Sequence, residues 1–224
     1  MKTAYFWLTP QGKQLAEQLQ AHFGGTVEPK ADFAEAVRRA FADCDALVFV
    51  MATGIVVRTI APLVQSKASD PAVLVLDQRG KHVISLLSGH LGGANAMAEQ
   101  TAAYLGGEAV ITTATDVEHV PAFDLFAKEN HLTIENLEEL KYISGALVAG
   151  EPVSLCTAFP VEKNAFPETV QIQPFSETPR HACAVAIADT TESVAAPHVL
   201  YLRPKSLVLG VGCKKQIPPA HLEQ

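Results

Sequence analysis

Two short apolar runs, ALVFVM (46–51) and AVLVLD (72–77), constrain the fold of this chain most. Each is too short for an ordinary helix and rich in Val and Leu. Such runs predict strands buried on both faces, the mark of a mostly parallel sheet covered by helices. KHVISLL (81–87) follows the second run after the turn QRG, and Gly80 in that turn predicts a hairpin. TAYFWL (3–8) and EAVITT (108–113) supply further strands.

Helical signals fill the gaps. Thr9-Pro10 is a cap and first-turn pair that opens a helix to about Leu19, closed by Gly24 and Gly25. Asp32 precedes FAEAVRRAF, with Phe33, Val37 and Phe41 at four-residue spacing. TGIVVRTIAPLV predicts a helix capped by Thr53 and ended or kinked by Pro62. The expected class is α/β: an amino-terminal layered domain with a mostly parallel sheet over 1–116, then a smaller α/β domain over 117–205. In the second, VPAFDLFAKEN and LEELKYISGALVAG are expected helices and LTIEN a connector. PVSLCT, VQIQPF, HACAVAIA, HVLYLR and SLVLGVG are short β-rich runs. Residues 206–224 are expected to begin a third domain that is incomplete here.

With 48% hydrophobic and 18% charged residues, the chain is expected to form a proper core. The start MKTAYFWLTPQGKQ has no small-residue cleavage site, and no apolar run approaches the roughly 18 residues of a membrane span, so a cytoplasmic protein is expected. Cys44, Cys156, Cys183 and Cys213 form no CxxC pair and are expected to be small core residues. His22, His82, His119, His131, His181, His198 and His221 show no ligand spacing, so no protein-built metal site is expected. The net charge of −7 disfavours nucleic acid and anionic membranes. Residues 46–98 run the other way: Arg58, Lys67, Arg79 and Lys81 against Asp70 and Asp77 make a local +2.

That basic stretch contains the turn Ser88-Gly89-His90-Leu91-Gly92-Gly93, between a strand and a helix. Open α/β sheets place ligands at such turns, where glycines allow close backbone approach and helix N–H groups attract anions. The spacing fits neither a P-loop nor the dinucleotide motif, and helix–strand packing alone would also select these glycines. His90 and Ser88 are close enough to face one ligand, although no nucleophile elbow supports a Ser-His-acid triad. Ala52-Thr53-Gly54-Ile55 repeats the strand-turn-helix pattern with Arg58 one turn in, either as a second anion seat or as a plain cap. Thr112-Thr113-Ala114-Thr115-Asp116 is a third such turn: its hydroxyls suit carboxylates, and Asp116 is either a base, an orienter of His90 or a cap. Three turns at strand carboxyl ends are expected to share one cleft.

The run MATGIVVRTIAPLVQSKASDPAVLVLDQRGKHVISLLSGHLGGANAMAEQTAAYLGGEAVITTATD resembles the amino-terminal domain of the CbiG family, the cobalt-precorrin 5A hydrolases of anaerobic cobalamin (vitamin B12) biosynthesis. FAKENHLTIENLEELKYISGALVAGEPVSL resembles that family's central domain, and LRPKSLVLGVGCKKQIP the opening of its third. The resemblance implies hydrolysis of the δ-lactone of cobalt-precorrin 5A, with the former C20 carbon and its methyl group leaving as acetaldehyde to give cobalt-precorrin 5B. The substrate would be a tetrapyrrole bearing acetate and propionate groups and carrying its own cobalt, with no further cofactor. Residues in the matching motifs are Thr53, Gly54, Arg58, Lys67, Asp70, Ser88, Gly89, His90, Gly92, Gly93, Asn95 and Asp116, with Asn95 suited to orienting the glycine loop. On this basis His90 is expected to act as general base on water, with oxyanion stabilisation by the Gly92 and Gly93 N–H groups, and His90 as imidazolium, or Asp116, to deliver a proton to the macrocycle after ring opening. Expected alternatives are a non-catalytic fragment that binds the corrinoid intermediate or a pathway enzyme, with self-association through a surface left uncovered.

Overall fold

A computed structural model describes residues 1–67, 69–162 and 165–205. The amino-terminal lobe is built on strands β1 (Thr3–Trp7), β2 (Thr26–Val27), β3 (Ala46–Val50), β4 (Ala72–Leu76), β5 (His82–Leu87) and β6 (Glu108–Val110), in the order β2-β1-β3-β4-β5-β6. Every residue of β3 and β4 is buried, as two-sided coverage requires. Helices α1 (Pro10–Phe23) and α4 (Ala94–Leu105) cover one face with Leu15, Leu19, Ala98 and Ala102 against Val48, Leu74 and Val83. On the other face, α2 (Phe33–Asp43) and α3 (Thr53–Ile60) pack Val37, Ala40, Val56 and Ile60 on Phe6, Phe49 and Val75.

Thr9 caps α1 through its hydroxyl, which accepts from the Gly12 N–H at 3.0 Å. Thr53 does not cap α3. It is the first helical residue, Ala52 holds the cap position without a side-chain bond, and the helix stops at Ile60 before Pro62.

All strand pairs of this sheet are parallel except β4–β5, which is the expected hairpin with Gly80 at φ 66°. Since β6 runs with β5, the carboxyl ends of β5 and β6 lie at the edge where β1, β3 and β4 begin. The turns after β5 and β6 therefore share one edge of the sheet, and the turn after β3 lies at the other.

A short helix α5 (Ala114–Val117) and α6 (Phe123–Glu129) lead into the second lobe. Its sheet comprises β7 (Leu132–Ile134), β8 (Val153–Thr157), β9 (Val170–Pro174), β10 (Cys183–Ile187) and β11 (His198–Pro204), in the order β7-β11-β10-β8-β9, all parallel except β7. LTIEN is thus an edge strand rather than a connector. α6 and α7 (Leu140–Val148) pack Phe123, Ala127, Ile143 and Leu147 on Leu155, Val185 and Leu200. Cys156 is buried, and burial pushes its thiol up to about 11; Cys44 and Cys183 are half-buried with thiols also raised by burial. Cys213, SLVLGVG and the expected third domain lie outside the described residues, in which no helix is long and apolar enough to cross a membrane.

The cores of the two lobes share no residue. Leu74→Ala and Leu155→Ala should each lower unfolding free energy by about 2–5 kcal/mol, and the double variant should equal their sum within about 0.5 kcal/mol; urea titration of the three variants checks this.

Candidate active site

The chain leaves β5 into Ser88 at φ 58° and enters α4 through Gly93 at φ 89°, so the turn between them reverses within six residues. A side chain at Gly92 would collide with Ser88, and one at Gly89 would sit 2.7 Å from the Asn95 amide. The Ala94 and Asn95 N–H groups donate to the Ser88 and Gly89 carbonyls at 3.1 and 3.0 Å. These two amides at the helix start close the turn on itself and are not free for an anion.

What the turn presents is His90. Its Nε2 lies 2.7 Å from Asp116 Oδ2 and its Nδ1 3.2 Å from Asp124 Oδ1, with only 10% of the side chain exposed. Asp116 comes from α5 after β6, and Asp124 from α6, so the imidazole bridges the lobes. The hydrogen bond to Asp124 is the largest influence on its pKa, opposed by burial and aided by Asp116, and the result is about 9. Burial would raise the Asp124 carboxyl, but the hydrogen bond and charge of His90 and the N–H of Leu125 outweigh it and hold the pKa below the usual value. At neutral pH His90 is therefore an imidazolium donating both protons. That state does not fit a general base on water; it fits a proton donor.

Asn95, buried in the first turn of α4, organises the acidic side. It accepts from Ser85 Oγ at 2.6 Å and donates to Thr113 Oγ1 and Asp116 Oδ2, each at 3.1 Å. Thr115 Oγ1 lies 3.5 Å from His90 Nε2. Asp116 thus orients His90 and is itself oriented by Asn95.

His90, Thr113, Thr115 and Asp124 border a cleft of about 430 Å³ between the lobes, while Asn95 and Asp116 stand behind its lining residues. Lys67, Ser88, Gly89, His90, Thr113 and Thr115 line it from the first lobe, and Asp124, Lys141 and Ser144 from the second. Gly92, Gly93 and Thr112 are not among its lining residues. Ser88 Oγ donates to the Asp70 carbonyl at 2.9 Å, which makes it part of the turn's scaffold rather than a partner of His90. The Asp70 carboxylate accepts the Gln65 and Ser66 N–H groups and so shapes the loop that carries Lys67.

Thr53, Gly54 and Arg58 do not join this cleft. They sit at the opposite edge of the sheet, where Arg58 donates to the Gly54 carbonyl at 2.9 Å and Thr53 lines a separate cleft of about 530 Å³ with Thr9, Gln78 and His82. Arg79 and Lys81 belong to the hairpin at that edge too, so of the basic stretch only Lys67 lines the cleft beside which His90 stands. The antiparallel β4–β5 pair is the reason. Asp124 and Lys141 escaped the sequence reading; the one available signal was an acidic residue at a core-facing position of VPAFDLFAKEN, between Phe123 and Ala127.

His90 gives the fold a pH dependence of defined sign. A pKa raised from 6.5 to about 9 contributes stability that is complete below pH 6.5 and is lost as pH rises through 9, on the order of 3 kcal/mol. Unfolding measured between pH 6 and 10 should show that decline in the wild type, and Asp124→Asn should remove most of it.

Two family models match the chain: Cobalamin synthesis G N-terminal over residues 35–116 and Cobalamin biosynthesis central region over 121–204. The chain is 37% identical to a cobalt-precorrin-5A hydrolase of Salmonella typhimurium, an alignment covering 96% of this chain and 66% of the relative. It is 36% identical to that of Priestia megaterium, over 79% of this chain and 50% of the relative. A cobalamin biosynthesis protein G homologue from Sulfolobus solfataricus superposes with a TM-score of 0.52 at 25% identity, covering 91% of this chain and 60% of that one. The chain thus spans about half to two thirds of the length of these relatives. Matched by both models and by hydrolases bearing the same name, this chain belongs to the CbiG family.

Proposed function

We propose that the chain hydrolyses the δ-lactone of cobalt-precorrin 5A in its inter-lobe cleft and releases acetaldehyde, yielding cobalt-precorrin 5B. The relatives' printed activity supports this reading. The observation that carries it is His90 held between Asp116 and Asp124, at 2.7 and 3.2 Å, on the wall of an open cleft that Lys67 and Lys141 line from facing lobes. A polycarboxylate substrate calls for such cations, although the whole chain carries −7. The reading asks for no resident cofactor, the cobalt arriving within the substrate.

In this mechanism Asp116, next in the chain to the cleft-lining Thr115 and with 34% of its side chain exposed against 9% for Asp124, takes a proton from the attacking water. His90 and Lys67 offset the negative charge that develops on the lactone carbonyl. Collapse of the tetrahedral adduct breaks the ring C–O bond, leaving a carboxylate and a hydroxyl on the former C20 carbon once that oxygen is protonated by His90. The proton taken from water passes back to His90, and a carboxylate of the same cluster then removes the hydroxyl proton. The bond from C20 to the macrocycle breaks, its electron pair passing to the macrocycle, and acetaldehyde departs as His90 returns a proton to the macrocyclic carbon. Water is the sole co-reactant, and no oxidant or reductant is consumed.

Anaerobic incubation with cobalt-precorrin 5A, trapping acetaldehyde, tests the reading. The wild-type chain should release acetaldehyde, and Asp124→Asn should slow release by roughly 10²–10⁴-fold while still binding substrate. Substrate binding without release by the wild type would make the chain a corrinoid-intermediate binder and contradict the proposal. The rate should also fall as pH climbs through about 9, where His90 loses its proton.

A further inference from the structure

A third cavity, of about 390 Å³, adjoins the main cleft and shares Leu91 and Asp124 with it. Its remaining wall comes from α6, the edge strand β7 and the 3-10 turn Leu137–Glu139: Ala127, Leu132, Ile134 and Leu137 are apolar, and Lys128 is the single cation. Asp124, the cavity's acidic group, is already paired with His90 at 3.2 Å. Lys128 Nζ donates to the Leu91 carbonyl at 2.9 Å. An ammonium has three donors, so that bond leaves capacity for an anion. Gly93 leaves room beside it: a Cβ there would lie 3.5 Å from Nζ.

An apolar pocket ending in one cation is complementary to a short aliphatic arm that ends in a carboxylate. The methylenes bury against Leu132, Ile134 and Leu137, and the carboxylate meets Lys128. We infer that this cavity is a subsite for an alkyl-carboxylate arm of the molecule whose reacting centre sits at His90, with Lys128 as its recognition residue. The inference rests on the proposed function for the identity of the substrate, and adds to it where one arm binds and which residue selects it. It also accounts for the position of Lys128 four residues after Asp124. One face of α6 reaches His90 with one side chain and guards the adjoining pocket with the other.

The test compares binding of cobalt-precorrin 5A, followed by its absorption spectrum, to wild type, Lys128→Met, Lys128→Arg and the surface control Lys13→Met. Lys128→Met should weaken binding at least tenfold, Lys128→Arg should stay within about threefold, and Lys13→Met should match wild type. The His90 ring resonances should titrate alike in wild type and Lys128→Met. Unchanged affinity in Lys128→Met overturns the subsite. Lost affinity accompanied by a shifted His90 titration overturns it too, because Lys128 would then be holding the turn through Leu91. If the wild type binds no cobalt-precorrin 5A, the functional reading fails, and hexanoate decides the subsite separately. It should shift the methyl resonances of Leu132, Ile134 and Leu137 in wild type and not in Lys128→Met; absence of those shifts overturns the subsite as well.

Discussion

The antiparallel pairing of β4 with β5 decides where each loop of the first lobe emerges. Had β5 run parallel to β4, the turns after β3 and β5 would have shared an edge, as they do in a simple doubly wound sheet. Reversal at Gly80 sends the His90 turn to the edge where β4 begins, and β6, parallel to β5, sends Asp116 after it. The second lobe packs at that edge and supplies Asp124. The assembly of His90, Asp116 and Asp124 thus follows from strand direction before any side chain is considered.

Charge then ties the lobes together. Two carboxylates facing one imidazole across a lobe boundary would repel each other if the ring were neutral. The proton that His90 retains satisfies both and keeps Asp124 ionised despite its burial. The same proton makes His90 a donor at neutral pH. Architecture and proposed chemistry therefore draw on one protonation state, and a group that removes it loosens both.

Much of the first lobe was legible because its signals are local. ALVFVM and AVLVLD can only be buried strands, QRG closes a hairpin, and Thr9-Pro10 opens a helix with the expected cap. Ser88 to Asp116 stood out because glycines, a histidine and hydroxyls cluster at strand ends. The grouping of turns was misread because adjacency depends on strand direction, and the direction of β6 is fixed by tertiary pairing with β5. Asp124 was hidden for a related reason: its partner lies 34 residues away across a lobe boundary, and an aspartate in an amphipathic helix ordinarily reads as a solvated residue. β7 was missed because three residues paired only with β11 leave too short a pattern.

The central claim is that His90 is a doubly hydrogen-bonded imidazolium at neutral pH. Nitrogen-15 NMR of the His90 ring at pH 7 reads this directly, because protonated and bare imidazole nitrogens resonate far apart. The account predicts two protonated nitrogens at pH 7; one bare nitrogen at that pH would contradict it and return His90 to the role of base.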